Sequence, residues 1–437
     1  MGNQMLTRLS GLASAFVAAT LLSAPAVADD TDVLAAIDRN FDDQLIFLED
    51  TVNQNSGTLN VEGVRAAGAM YAEAFENIGF DTHWIDMPED MGRGGHFVAT
   101  REFGPGPHIL LIGHIDTVFE PFSAFQTFKR DGDIARGPGI QDMKGGNAVV
   151  LYAMRALIEA GEIETGKVTV FFTGDEESAG SPLDISRRDL IDAGKAADVA
   201  LNFEGGSNAW AVTGRRGSSN WKLETSAPQA HSSGMFSDHV GAGAVFEMAR
   251  ILNRFYGEVR GPFGLTFNPG VIAGGTIVNE GTSYASQTTY GKTNVVAQKT
   301  VVHGGLRFLN NDQLEDARAR MRGIVEDHLP KTEAIITFED RYPAMEETEA
   351  NLALLDKLNL VHARLGLDPA KPYPPERRGA ADVSFVAPYV TSMDGLGVDG
   401  SGAHSPGEMM HIPSMRDATR RAALFIGDLL KEDVPAG

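Results

Sequence analysis

Cysteine is absent from the 437 residues. Disulfide frameworks, thiol nucleophiles and thiolate metal sites are therefore excluded. Positive charge is scarce, with 37 Lys and Arg against 59 Asp and Glu and a formal net charge of −22. Such a surface repels nucleic acid and anionic lipid, so neither is expected as a partner. An anionic small molecule would need a local positive centre, either metal or arginine. Repeats and low-complexity tracts are missing as well. The remaining composition, 43% hydrophobic and 22% charged, is that of an ordinary globular protein. The length exceeds what one compact core holds, so two domains are expected.

Long apolar runs are absent beyond the N-terminus. There, MGNQMLTRLSGLASAFVAATLLSAPAVADD carries one Arg, an apolar run from Leu9 to Leu22, and small residues Ala26 and Ala28 before Asp29. Residues 1–28 read as a secretory signal cleaved after Ala28, since the run is short for a membrane span. An uncleaved anchor is the alternative. The expected location is periplasmic or secreted, with no membrane association after cleavage.

What is present is an alternation of helices and apolar strands. HILLIGHIDTVF, KVTVFFTG and DVALNFEGG read as strands, and VRAAGAMYAEAFENIG, GGNAVVLYAMRALIEAG and RRDLIDAGKAA as helices. This predicts an α/β fold with a mixed, largely parallel sheet flanked by helices. From about Gly214 the pattern changes to polar–apolar strands with two helices, which predicts an inserted α+β unit with an antiparallel sheet. The expected organisation is a catalytic domain in two parts, 29–213 and 344–437, with the insert at 214–343. NEGTSYASQTTYGK, from Asn279 to Lys292, reads as a long exposed hairpin.

Ligands in such sheets gather at the carboxyl ends of the strands. The polar residues there are His114 and Asp116 in GHID, Asp142 in GPGIQDMKGG, Glu176 and Glu177 in DEES, Glu204 in NFEGG and His404 in GAHSPGE. Imidazole and carboxylate suit zinc and related divalent metals. One ion would not use so many anionic ligands, but two could. A bridging Asp142 with His114, Glu177, Glu204 and His404 would set three negative charges against four positive. Neighbouring side chains on an extended segment diverge, so Glu177 is expected as a ligand and Glu176 as the general base.

Taken together, these motifs resemble the di-zinc metallopeptidases that include glutamate carboxypeptidase (carboxypeptidase G), aminoacylase and succinyl-diaminopimelate desuccinylase. The resemblance runs from SGTLNVEG through GHIDTV, GPGIQDMKGGNAVV, TGDEES and NFEGG to AHSS, TNVV and GAHSPGE, and is nearest to the glutamate carboxypeptidase branch. It implies that His114 and Glu204 bind one metal, Glu177 and His404 the other, and that Asp142 bridges through a segment with a cis Asp142–Met143 peptide. It also implies that Asp116 orients His114, and that His231 of the insert reaches a partner subunit's metal site in a homodimer formed through that domain, which acts as a lid. Asn294, Arg307 and Gly379 would contact substrate. Zinc is the implied ion, with cobalt or manganese as alternatives. Departures are Ala297 in place of proline after the Asn-Val pair, RRGAADVS in place of a glycine-rich segment, and the loop from Asn279 to Lys292.

The implied reaction is cleavage of an amide next to a free carboxylate, releasing a C-terminal amino acid such as glutamate from a small acyl-amino acid or peptide. An N-acyl amino acid hydrolase is the alternative within the enzyme class. A non-catalytic periplasmic protein that binds small acids is the alternative outside it.

Overall fold

The computed structural model describes Met1 and residues 30–281 and 286–432. The signal segment expected at 1–28 lies outside these residues apart from Met1. A six-stranded sheet forms the centre, in the order Asp81–Ile85, His96–Glu102, Lys167–Thr173, His108–His114, Val199–Asn202, Thr391–Met393. The first two pairings are antiparallel and the other three parallel, so the sheet is mixed with a parallel half.

The run HILLIGH occupies the middle of that parallel half and is apolar on both faces for a reason. Ile109 and Leu111 pack under the helices Thr31–Asn53, Lys144–Ala160 and Ile412–Leu430. Leu110 and Ile112 point the other way, against Arg188–Ala196 and Val383–Val386. A strand covered by helices on both sides cannot alternate polar and apolar residues.

The second unit is a four-stranded antiparallel sheet in the order Thr266–Gly275, Lys299–Phe308, Gly217–Ser226, Glu333–Asp340. The helices Ala244–Arg254 and Asn311–Glu326 cover one face, burying Trp221, Leu223, Val302, Leu306 and Phe308. Strand Thr266–Gly275 has no counterpart in the sequence reading, because FNPGVIAGG contains proline and three glycines. It lies at the sheet edge with a register shift between Pro269 and Val271, where a missing N–H is tolerated. Gln287–Tyr290 pairs with Ile277–Glu280 in a hairpin, and Lys299–Phe308 enters the main sheet.

The chain enters and leaves this unit side by side. The Arg215 and Met345 amides exchange hydrogen bonds of 2.8 and 3.0 Å with each other's carbonyls, and the Ser218 N–H donates to the Tyr342 carbonyl at 2.8 Å. Arg215 is buried at this crossing, ion-paired with Asp394 and donating to the Gly379 carbonyl at 2.6 Å.

Leu111 is fully buried in the central strand and Ile272 is 59% exposed on the edge strand. Leu111→Ala is expected to cost ~2–5 kcal/mol, and Ile272→Ala to stay within about 0.5 kcal/mol. Urea denaturation of both variants checks this contrast.

Candidate metal centre

Two adjacent parallel strands bring the first ligands together. His114 is the last residue of its strand, and Glu204 lies two residues beyond Val199–Asn202. Asp142 arrives from the turn before helix Lys144–Ala160. That helix starts against the end of the neighbouring strand: a Cβ on Gly146 would lie 1.9 Å from the Phe203 carbonyl oxygen, so only glycine allows the approach. The turn is fixed from behind by Glu408, whose buried carboxylate accepts the amides of Gly139, Gln141 and Asp142 at 2.9, 2.8 and 3.0 Å. The Asp142–Met143 peptide is cis. His404 projects from the turn joining Gly400–Ser401 to Met409–His411, in a small four-stranded sheet that the sequence reading did not contain.

The two carboxylate oxygens of Asp142 face two different groups. Oδ1 lies 3.2 Å from His114 Nε2, which is 3.6 Å from Glu204 Oε1. Oδ2 lies 3.3 Å from His404 Nε2, which is 2.9 Å from Glu177 Oε2. Within each triad, one ligand atom per residue falls within 4.8 Å of the others. Each triad thus offers an imidazole, a carboxylate and one oxygen of a shared carboxylate, a donor set suited to zinc and similar ions. The five expected ligands are brought together, and the donors fit a pair of divalent cations.

The three acids of DEES separate in a way the sequence reading did not foresee. The strand ends at Thr173, so Glu176 and Glu177 sit in a turn and diverge because the chain bends, not because an extended strand alternates. Asp175 turns inward and is neutralised by Arg187, at 2.5 Å, with further bonds from Ser186 Oγ and the Gly180 amide. Asp116 also differs from expectation. His114 Nδ1 lies 3.0 Å from the Asp116 backbone carbonyl and 3.4 Å from its carboxylate. That carboxylate instead accepts the Glu176 and Glu177 amides at 3.0 and 3.1 Å, and the Thr58 hydroxyl at 2.6 Å. Asp116 therefore orients the turn as well as the imidazole.

A cleft of about 350 Å³ opens beside the centre, with Glu176, Glu177, His404, Gly379, Arg307 and Tyr342 among its walls. The Arg307 guanidinium makes no ion pair or hydrogen bond among the described residues, and burial together with the charge of Arg216 pushes its pKa down. His231 and Asn294 do not line this cleft. Both are exposed on the second unit, where the Ser232 amide donates to the Asn294 carbonyl and His231 Nδ1 lies 2.8 Å from Ser233 Oγ. Gly379 is not required by space, since a Cβ there would meet nothing within 4 Å. Glu408 escaped notice although it stands inside GAHSPGE; its spacing carries no ligand signal, and only the fold shows what it holds.

A profile of peptidase family M20/M25/M40 matches residues 110–428. The chain belongs to this family. Carboxypeptidase G2 of Pseudomonas sp. (strain RS-16) is 28% identical over 433 residues, spanning 96% of each chain. Among solved structures, the aminopeptidase PepT of Bacillus cereus superposes with a TM-score of 0.70 at 17% identity, over 90% of this chain and 99% of that one. The Bacillus subtilis YXEP protein, described as a dinuclear metal binding peptidase from the M20 family, gives a TM-score of 0.62 at 14% identity over 90% and 99%. The fold is that of the M20 peptidases, and the protein is a hydrolase of this metallopeptidase family.

The side chains of this M20 centre hold protons where cations would otherwise balance the acids. Bonds to Asp142 and Glu177 push His404 up to about 11. Burial acts to lower His114, but Asp116, Asp142 and Glu204 outweigh it and hold the imidazole well above its usual range. Burial pushes Glu177 up to about 7 and raises Glu204 as well. Burial also holds the Glu176 carboxyl well above the carboxylate range.

At about pH 7 the His404 imidazole of demetallated enzyme therefore carries a proton that a cation must displace. Zinc titration is expected to release protons, and affinity to rise with pH. Calorimetry in buffers of different ionisation enthalpy checks the sign, and a buffer-independent enthalpy would contradict it. Glu408→Gln is expected to weaken metal affinity by about 10- to 100-fold, as lost support behind a ligand does, measured by competition with a chelating dye.

Proposed function

We propose that the protein is an exported hydrolase that uses two divalent cations, zinc being the expected ion, to cleave an amide next to a free carboxylate. The likeness to carboxypeptidase G2 along nearly the whole chain supports release of a C-terminal amino acid such as glutamate. The observation that carries the reading is the division of Asp142 between two imidazole–carboxylate pairs, with a third carboxylate beside them that binds neither.

When bound, paired cations supply Lewis-acid chemistry, polarising a carbonyl and making water a nucleophile near neutral pH. His114, Glu204, Glu177 and His404 would hold them, with Asp142 common to both. Glu176 is left for proton transfer. Its carboxylate makes no hydrogen bond or ion pair among the described residues, and burial raises its proton affinity toward the range where it can take a proton from water and return it to the leaving amine. Arg307, without an acid partner among the described residues and on the wall of the same cleft, suits the substrate carboxylate through paired N–H donors. Gly379 shares that wall. His231 and Asn294 fit a contribution from the exposed face of the second unit to the other copy of a homodimer, and the composition of the N-terminal segment supports export.

Glu176→Ala is expected to keep its bound metal and lose turnover by about 10²- to 10⁴-fold. A mass-spectrometric screen of N-acyl amino acids, dipeptides and glutamyl conjugates with zinc-loaded enzyme supplies the assay. Wild-type turnover by that variant would remove Glu176 from the chemistry. A screen in which N-acetyl amino acids are cleaved and glutamyl conjugates are not would favour an aminoacylase.

A further inference from the structure

The Glu176 side chain is free, but its peptide is pinned at both ends. Its N–H donates to Asp116 Oδ1 at 3.0 Å, and its carbonyl accepts the Tyr342 hydroxyl at 2.7 Å. Tyr342 does not belong to the turn it holds. It lies two residues beyond strand Glu333–Asp340, on the return crossing from the second unit, and it also lines the cleft.

The ring is fixed from below. It packs on Phe385 at 4.9 Å between centroids, and Arg187 Nη2 donates to its oxygen at 3.3 Å. Arg187 is itself fully buried between Asp175 and Asp382, at 2.5 and 2.8 Å. A buried guanidinium between two carboxylates is a rigid mount, because every displacement exposes an uncompensated charge.

From above, Tyr342 is tied to the wall that carries Arg307. Its carbonyl accepts the Ser218 N–H at 2.8 Å and its N–H donates to Ser218 Oγ at 3.2 Å. Ser218 is the partner of Arg307 across the sheet ladder. Three contacts therefore connect Arg307 to the peptide of Glu176.

We infer that Tyr342 is a positioning residue for Glu176, and that its hydroxyl couples the seating of the second unit over a substrate carboxylate to the placement of the base. This rests on Glu176 acting as the base. Loss of the Tyr342 hydroxyl leaves the Glu176 carbonyl without a donor among the described residues. The base is then held by Asp116 alone.

The test is Tyr342→Phe, which keeps the ring on Phe385 and removes only the hydroxyl. Metal content and melting temperature should match wild type, while kcat falls by about tenfold or more and KM stays within about twofold. In a Glu176→Gln background the same change should leave the residual rate within about twofold, because a side chain that cannot take a proton gains nothing from being placed. Equal losses in both backgrounds, or an unchanged kcat in Tyr342→Phe, would overturn the inference. Wild-type turnover in Glu176→Gln alone would show that the base itself is misassigned, a failure visible before Tyr342 is altered.

Discussion

Everything at this centre depends on one carboxylate turning two oxygens in two directions. Asp142 can serve both triads only if its backbone is immobile, and the chain spends a second buried acid on that. Glu408 takes three amides of the 139–142 turn, and burial pushes its own pKa up to about 7. Lys144 completes the support. Its buried ammonium donates to the Thr51 and Gln54 carbonyls at the end of helix Thr31–Asn53, where the helix dipole favours a cation. The turn bearing the shared ligand is thus bolted to the first helix, to the small sheet behind it and, through Gly146, to the end of a central strand.

The acids at the strand mouth receive different answers from the same surroundings. Asp175 is held below the usual carboxylate range despite its burial, chiefly by Arg187. Glu177 faces an imidazole and the shared carboxylate. Glu176 accepts no bond from either, and burial, reinforced by the charges of Asp382, Glu204 and Glu177 against that of His114, raises its proton affinity. A perturbed carboxyl with no partner, next to a site built for cations, has the properties required of a group that exchanges protons near neutral pH. The turn sends three adjacent acids to three environments: a buried ion pair with Arg187, a place beside His404 among the candidate ligands, and a buried position with no side-chain partner among the described residues.

The sequence was most readable where periodicity and local chemistry coincide. HILLIGH is apolar on both faces because helices cover both, and its end had to lie at the carboxyl edge of a parallel sheet, so His114 and Glu204 could be placed together in advance. The clustering of the five candidate ligands was legible because imidazoles and carboxylates at strand ends have few other reasons to gather. Strand Thr266–Gly275 was not legible, since its proline and glycines are tolerated only at an edge that pairing creates. Asp175 looked like a member of the acid cluster because its partner, Arg187, lies across a turn whose direction the sequence does not encode locally. Glu408 and Tyr342 act on backbone groups of distant segments, and such contacts leave no spacing signature. For His231 and Asn294 the chain alone shows an exposed neighbourhood and no partner in the cleft.

The division of labour between the two units follows from the charge of the chain. With 59 acids against 37 bases, the surface as a whole repels any carboxylate-bearing molecule. Attraction must come from a few positive groups kept free of acids, and Arg307 is one, placed on the second unit and facing the centre across the cleft. Were it beside Glu176 and Glu177, those acids would pair with it and cancel it, as Arg187 is cancelled by Asp175 and Asp382. Carrying the guanidinium on a separate sheet, joined through a crossing at Arg215 and Tyr342, keeps it clear of acid partners among the described residues while leaving it on the wall of the cleft.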